Sequence, residues 1–316
     1  MKKIVLIPII VGSALLITGG IIFAVGLANA KQNKLVSRDV DLSEYSINGF
    51  DFDIDTADVT FKVSTDSNKT IAIKEYEKQT HSVEVKNNVL SINGVDKRKW
   101  YDFLFNFNFK SPSIEISLPA GEYANLKIKN STGDIDIPKE FTFQTADIKL
   151  STGNIDFASS VNKGIDIKTS TGDISYSGES CQSLTIKTST GNVNIKNSNI
   201  DENLNIEVDT GHVLLKNVKC ENAQVETSTG WISLEDTLIN KHLDLKTSTG
   251  DVKFTDSDAE TIKIKTSTGD VKGTLLTSKI FAVSSSTGKI NVPVSTEGGL
   301  CEISTSTGDV IITIKG

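Results

Sequence analysis

From about residue 121 to the C-terminus, apolar and polar positions alternate, and the alternation breaks at a regular interval. Ile262 and Ile264 precede a "TSTGD" stretch and Val271 follows it; the neighbouring copy gives Leu243, Leu245, Val252 and Phe254. Period two is the strand period, so each copy reads as two short strands around a turn, with one face of each directed inward. The turn glycines Gly133, Gly153, Gly172, Gly191, Gly211, Gly230, Gly250, Gly269, Gly288 and Gly308 lie 19 or 20 residues apart. No stretch beyond the N-terminal region carries helical periodicity. A unit of this length cannot bury its own apolar face, whereas stacked units share a continuous core, and a fixed period of this size is the mark of a solenoid.

The expected fold is therefore all-β: a right-handed parallel β-solenoid of about ten 19–20-residue coils, each advancing ~4.8 Å, the spacing of paired strands. Glycine permits the sharp turn, and the Ser and Thr ahead of it bond to local backbone. Residues 39–120 carry the alternation irregularly, in "VTFKV" (59–63), "IAIKEY" (71–76) and "IEISLP" (114–119), as expected of a cap on the repeats of 121–316. At the other end "DVIITIKG" (309–316) shows no comparable cap. Val310, Ile312 and Ile314 are expected to end the sheet in a free edge, with fraying or self-cover favoured over self-association.

The first 30 residues change the picture. Residues 4–27 carry no charge and are long enough as a helix to cross a hydrocarbon core ~30 Å thick. They predict a single-pass membrane anchor followed by a tether, 31–38, with the β region outside a bacterial cell. Lys2 and Lys3 before the apolar run and "ANA" (28–30) after it also suit a cleavable signal peptide, which would give a secreted protein. The 316-residue chain has 33 basic and 40 acidic side chains, a net charge of −7. A nucleic-acid partner would call for a basic face instead.

The opening "FDFDIDTADVTFKV" (50–63), "IEISLPAGEYANLKIKNSTGDIDI" (114–137) and the "STGD" series after it resemble the bacterial putative-adhesin family of β-strand-repeat domains of unknown function, the LiaG-like group. The resemblance covers roughly residues 40–316. It implies a cell-surface or membrane-anchored β-repeat protein and supplies no catalytic or ligand residues.

Candidate chemistry is sparse. The residue after each turn glycine forms a column: Asp134, Asn154, Asp173, Asn192, His212, Trp231, Asp251, Asp270, Lys289 and Asp309. Calcium needs six to eight oxygens, while each rung offers one side chain and Lys289, Trp231 and His212 interrupt the series. Asp209-Thr210-Gly211 mimics an aspartic-protease triplet, but that chemistry needs a second carboxylate in a cleft. A polysaccharide-cleaving β-helix is the enzymatic alternative, and it needs a cluster of acids that would break the repeat. Lys129, Lys149, Lys168, Lys187, Lys246 and Lys265 instead recur at one position, as a solvated ladder. No catalytic residue, metal or cofactor is assigned.

Two departures from the repeat are candidate contacts with an envelope protein or glycan. His212 and Trp231 place rings on adjacent rungs of a polar column. Trp100, Tyr101, Phe103, Phe105, Phe107 and Phe109 form an aromatic segment flanked by Lys97, Arg98, Lys99 and Lys110, fit either to cap the solenoid or to meet a membrane surface. Cys181 and Cys220 fall two rungs apart with Ile200 between them, too far for a disulfide, and Cys301 takes the inward slot of Leu243 and Ile262. The expected role is non-enzymatic: an adhesin or interaction scaffold at the cell envelope.

Overall fold

The computed structural model describes residues 35–97 and 111–315. The expected anchor (4–27) and the aromatic segment from Trp100 to Phe109 lie outside the described residues. Among the described residues every regular element is a strand, and no helix is long and apolar enough to cross a membrane.

Seven strands open the chain: β1 (Leu35–Asp41), β2 (Gly49–Thr56), β3 (Asp58–Val63), β4 (Thr70–Tyr76), β5 (Gln79–Lys86), β6 (Val89–Asp96) and β7 (Ser113–Leu118). The repeats then supply β8 (Gly121–Thr132), β9 (Ile135–Ile137), β10 (Phe141–Thr152), β11 (Ile155–Phe157), β12 (Ser160–Thr171), β13 (Ile174–Tyr176) and β14 (Ser180–Thr190). They continue with β15 (Val193–Thr210), β16 (Val213–Thr229), β17 (Ile232–Glu235), β18 (Leu238–Thr249), β19 (Val252–Thr268) and β20 (Val271–Leu275). The last coils are β21 (Lys279–Thr287), β22 (Ile290–Asn291), β23 (Gly299–Thr307) and β24 (Val310–Ile314).

The product is a β-solenoid of about ten turns in parallel register. One column of inward residues runs Ile128, Ile148, Ile167, Ile186, Ile206, Val225, Leu245 and Ile264, each paired with the next across one rung and nearly fully buried. Alternation along each strand puts these residues inside and their polar neighbours outside, and stacking removes from water the surface that no coil could hide alone. A second corner closes several coils without glycine. Asn197, Asn217, Asp236 and Asp256 adopt φ of 53°, 52°, 49° and 49°, the left-handed conformation that Asn and Asp tolerate best. Near the N-terminal end the core changes from aliphatic to aromatic, with Phe50, Phe61, Phe141 and Phe143 packed edge to face.

Both ends depart from sequential stacking. At the N-terminal end β2 lies between β6 and β8, and β3 between β7 and β9, so the coil of residues 49–63 is enclosed while the later β6–β7 coil lies outside it. β4 and β5 cover that end in antiparallel pairings, and β1 runs antiparallel to β4. At the C-terminal end β23 pairs with both β19 and β21, and β24 with both β20 and β22. The expected free edge at 309–316 is thus corrected. The final coil fills the rung between Gly269 and Gly288, and the outermost coil is β21–β22. A last segment bonded on both sides cannot peel from an end, and the exposed coil is held by chain at both of its ends.

The C-terminal crossover is pinned by a buried ion pair. Lys279 Nζ lies 2.7 Å from Asp258 Oδ1, with side-chain exposures of 3% and 9%. Asp258 Oδ2 accepts hydrogen bonds from the Thr277 N–H and hydroxyl, both at 2.7 Å, and Oδ1 accepts from the Ala259 N–H at 2.8 Å. The carboxylate is thereby saturated, the condition under which a buried charge is tolerated.

Candidate functional site

The turn column is a hydrogen-bonded ladder rather than a set of metal ligands. On most rungs the side-chain oxygen of the Asp or Asn after the glycine accepts the backbone N–H of its equivalent on the next rung. Asp134 Oδ1 accepts from Asn154 at 2.7 Å, Asn154 from Asp173 at 2.9 Å, Asp173 from Asn192 at 2.7 Å and Asn192 from His212 at 3.0 Å. The ladder resumes with Asp251 accepting from Asp270 at 2.8 Å, Asp270 from Asp309 at 2.7 Å and Asp309 from Lys289 at 2.8 Å. The first rung is Asp58, which follows Ala57 rather than glycine and accepts from Asp134 at 3.0 Å. Lysine has no acceptor, and Lys289 occupies the outermost rung, where none is needed.

The ten turn glycines stack backbone on backbone. A Cβ on Gly250, whose φ is +156°, would lie 1.9 Å from the carbonyl oxygen of Gly230. Among the described residues no group of three or more His, Cys, Asp or Glu side chains is arranged to hold a metal ion. Asp209 is an exposed residue near the end of β15, flanked by Val208 and Thr210 in the same register as the preceding coil. Cys181, Cys220 and Cys301 are free and buried, and Ile200 pairs with Cys181 on one side and Cys220 on the other. Of the outer lysines, Lys129 is ion-paired with Asp53, Lys149 with Asp147 and Lys168 with Asp166.

His212 and Trp231 are brought together. Their rings stack at a centroid distance of 4.5 Å and an interplanar angle of 12°. His212 Nδ1 accepts the Trp231 backbone N–H at 3.1 Å, standing in for the Asx oxygen of other rungs. Trp231 offers no acceptor to Asp251, so the ladder is interrupted there. The indole stays 39% exposed on a surface of otherwise polar turns. Sequence spacing identified this pair; the ladder that it modifies is visible only with the rungs stacked.

A family model described as Toastrack DUF4097 matches residues 47–253 and 201–316. A search of curated proteins finds no match. Among solved structures, a putative adhesin from Parabacteroides distasonis ATCC 8503 is 15% identical with a TM-score of 0.49, covering 77% of this chain and 96% of that one. A putative lipid binding protein from the same organism is 17% identical with a TM-score of 0.48, covering 77% and 97%. A putative adhesin from Parabacteroides merdae ATCC 43184 is 15% identical with a TM-score of 0.43, covering 77% and 95%. The family match takes in the enclosed 49–63 coil at one end and the tucked final coil at the other and spans well over half of the sequence, so the chain belongs to the Toastrack DUF4097 family.

Proposed function

We propose that the protein is a non-enzymatic adhesin or interaction scaffold of the bacterial envelope: a right-handed β-solenoid held at the membrane by residues 4–27 and displayed outside the cell. The observation that carries this reading is the regularity of its outer face. Along the rungs a number of charged side chains are paired across or within coils, as in Lys127 with Asp51, Lys216 with Glu235 and Lys241 with Glu221. Such a surface offers repeated contacts on a rigid frame. Its partner is an envelope protein or glycan.

The test incubates the full chain, reconstituted in liposomes, with purified envelope polysaccharide. The expected result is retention of intact polymer on the liposomes. Release of new reducing ends would refute the non-enzymatic reading in favour of a β-helical polysaccharide-cleaving enzyme.

A further inference from the structure

Three outward columns change chemistry together on the rungs of Gly211 and Gly230, one of them beginning a rung earlier at Gly191. Four residues before the turn glycine, Lys129, Lys149, Lys168 and Lys187 give way to Glu207 and Glu226, after which Lys246 and Lys265 resume. Six residues before it, where charged side chains stand on most rungs, come the neutral Thr185, Asn205 and Gln224 in succession. One residue after it the Asx series gives way to His212 and Trp231. Parallel pairing places Thr185, Asn205 and Gln224 side by side, and likewise Lys187, Glu207 and Glu226. Drift in a repeat would scatter such changes among rungs. Their coincidence marks one place on the surface.

At that place these six side chains line a shallow open cavity of about 310 Å³. Glu207 is ion-paired with Lys187 and Glu226 with Lys246, so the two new carboxylates bring no net charge. The amides and the hydroxyl supply donors and acceptors, the carboxylates accept, and the turn edge of the same rungs carries a flat exposed ring. Hydrogen-bonding groups of both kinds line the cleft, and Trp231, outside that lining, stands at the turn of the last of these rungs with one ring face against His212; together they suit an extended ligand dense in hydroxyls and carrying apolar C–H faces. The surface spans three rungs, about 10 Å at the spacing of paired strands, which is longer than one sugar ring.

We propose that the rungs of Gly191, Gly211 and Gly230 form a binding site for an uncharged oligosaccharide, with Asn205, Gln224, Glu207 and Glu226 bonding its hydroxyls and Trp231 stacked on a ring face. The proposal rests on the adhesive reading above and gives it a partner class. Trp231 is the informative residue, because it interrupts the turn ladder. Trp231→Asn restores an acceptor for the Asp251 N–H, so a purely structural role predicts an equal or higher Tm and no other effect.

The test applies the full chain in detergent to an array of neutral gluco-, manno- and galacto-hexasaccharides, with an anionic uronic-acid hexamer alongside, and then titrates any neutral sugar that binds. The expected result is binding of a neutral hexasaccharide, weakened about tenfold or more by Trp231→Asn at undiminished Tm, the loss of one well-packed aromatic contact. Asn205→Ala with Gln224→Ala should weaken it similarly, whereas Asp173→Ala, on a turn outside the site, should not. Neutral-sugar binding that survives both site variants overturns the proposal while leaving the adhesive reading intact. So does binding confined to the anionic hexamer, or to envelope polymer with no neutral hexasaccharide bound. Shortened sugars overturn both readings.

Discussion

Replacing Gly250 by Ala separates two reasons for a glycine in the turn column, and Gly121 is the internal control. The two residues have nearly the same φ, +156° and +152°. A Cβ on Gly121 would meet nothing within 4 Å, whereas one on Gly250 would lie 1.9 Å from the Gly230 carbonyl oxygen and 2.5 Å from its carbon. Both substitutions carry the strain of a positive φ, ~1–3 kcal/mol. Only Gly250→Ala must also force two rungs apart, at the point where Gly230 N–H bonds to Thr249 O and Ile232 N–H to Asp251 O, each at 2.9 Å. Losing or stretching two backbone bonds at about 1 kcal/mol apiece adds ~2 kcal/mol, so Gly250→Ala should be the more damaging by roughly that amount. Guanidinium unfolding of the two variants and the parent, read as changes in midpoint at constant slope, measures the difference. A gap below about 0.5 kcal/mol would mean that dihedral strain alone explains the glycines, and the close-packed-turn argument would fail.

Lys279→Met leaves Asp258 buried without its cation and should cost ~3 kcal/mol or more, with new proteolytic nicks between residues 276 and 298 as the β21–β22 coil loosens. Asp173→Ala removes the acceptor for the Asn192 N–H, an exposed ladder bond, and should cost only ~1 kcal/mol in the same unfolding assay. Burial pushes the thiol of Cys181 up to about 11 and those of Cys220 and Cys301 up to about 12; none should react with a thiol reagent near neutral pH until the protein is denatured, when all three should. In the N-terminal cap burial holds the His81 imidazole below its ordinary range. Burial of Glu75 acts to raise its carboxyl, but hydrogen bonds from Arg38 and His81 outweigh this and hold it low. Both groups therefore bind protons more tightly in the unfolded chain, and the stability that they lend above the ordinary values of 6.5 and 4.5 is lost as pH falls. Hydrogen exchange in β1, β4 and β5, corrected for intrinsic rates, should accelerate on acidification from about pH 7 to about pH 4, and unchanged protection would refute the linkage.

The sequence by itself determined the coil. Alternating Ile, Val and Leu around a spaced "STG" leaves one arrangement in which each apolar residue finds a partner, and the period puts Ile200 between Cys181 and Cys220 as the structure has it. It also singled out His212 and Trp231, because a ring in a column of Asp and Asn is visible without coordinates. Tertiary structure decided which coil neighbours which. Nothing local to "VSSSTGKINV" (283–292) or "ISTSTGDVII" (303–312) says that the second lies inside the first, since both present the same strand pattern to either neighbour. The one written trace is Lys289, an end rung whose backbone N–H donates to the ladder and whose side chain offers no acceptor to a further rung, and it acquires meaning only once the ladder is seen. The cavity beside Glu207 and Glu226 belongs to the same class. Its lining residues are about 20 apart in the chain, and hydrogen bonding between rungs is what makes them neighbours.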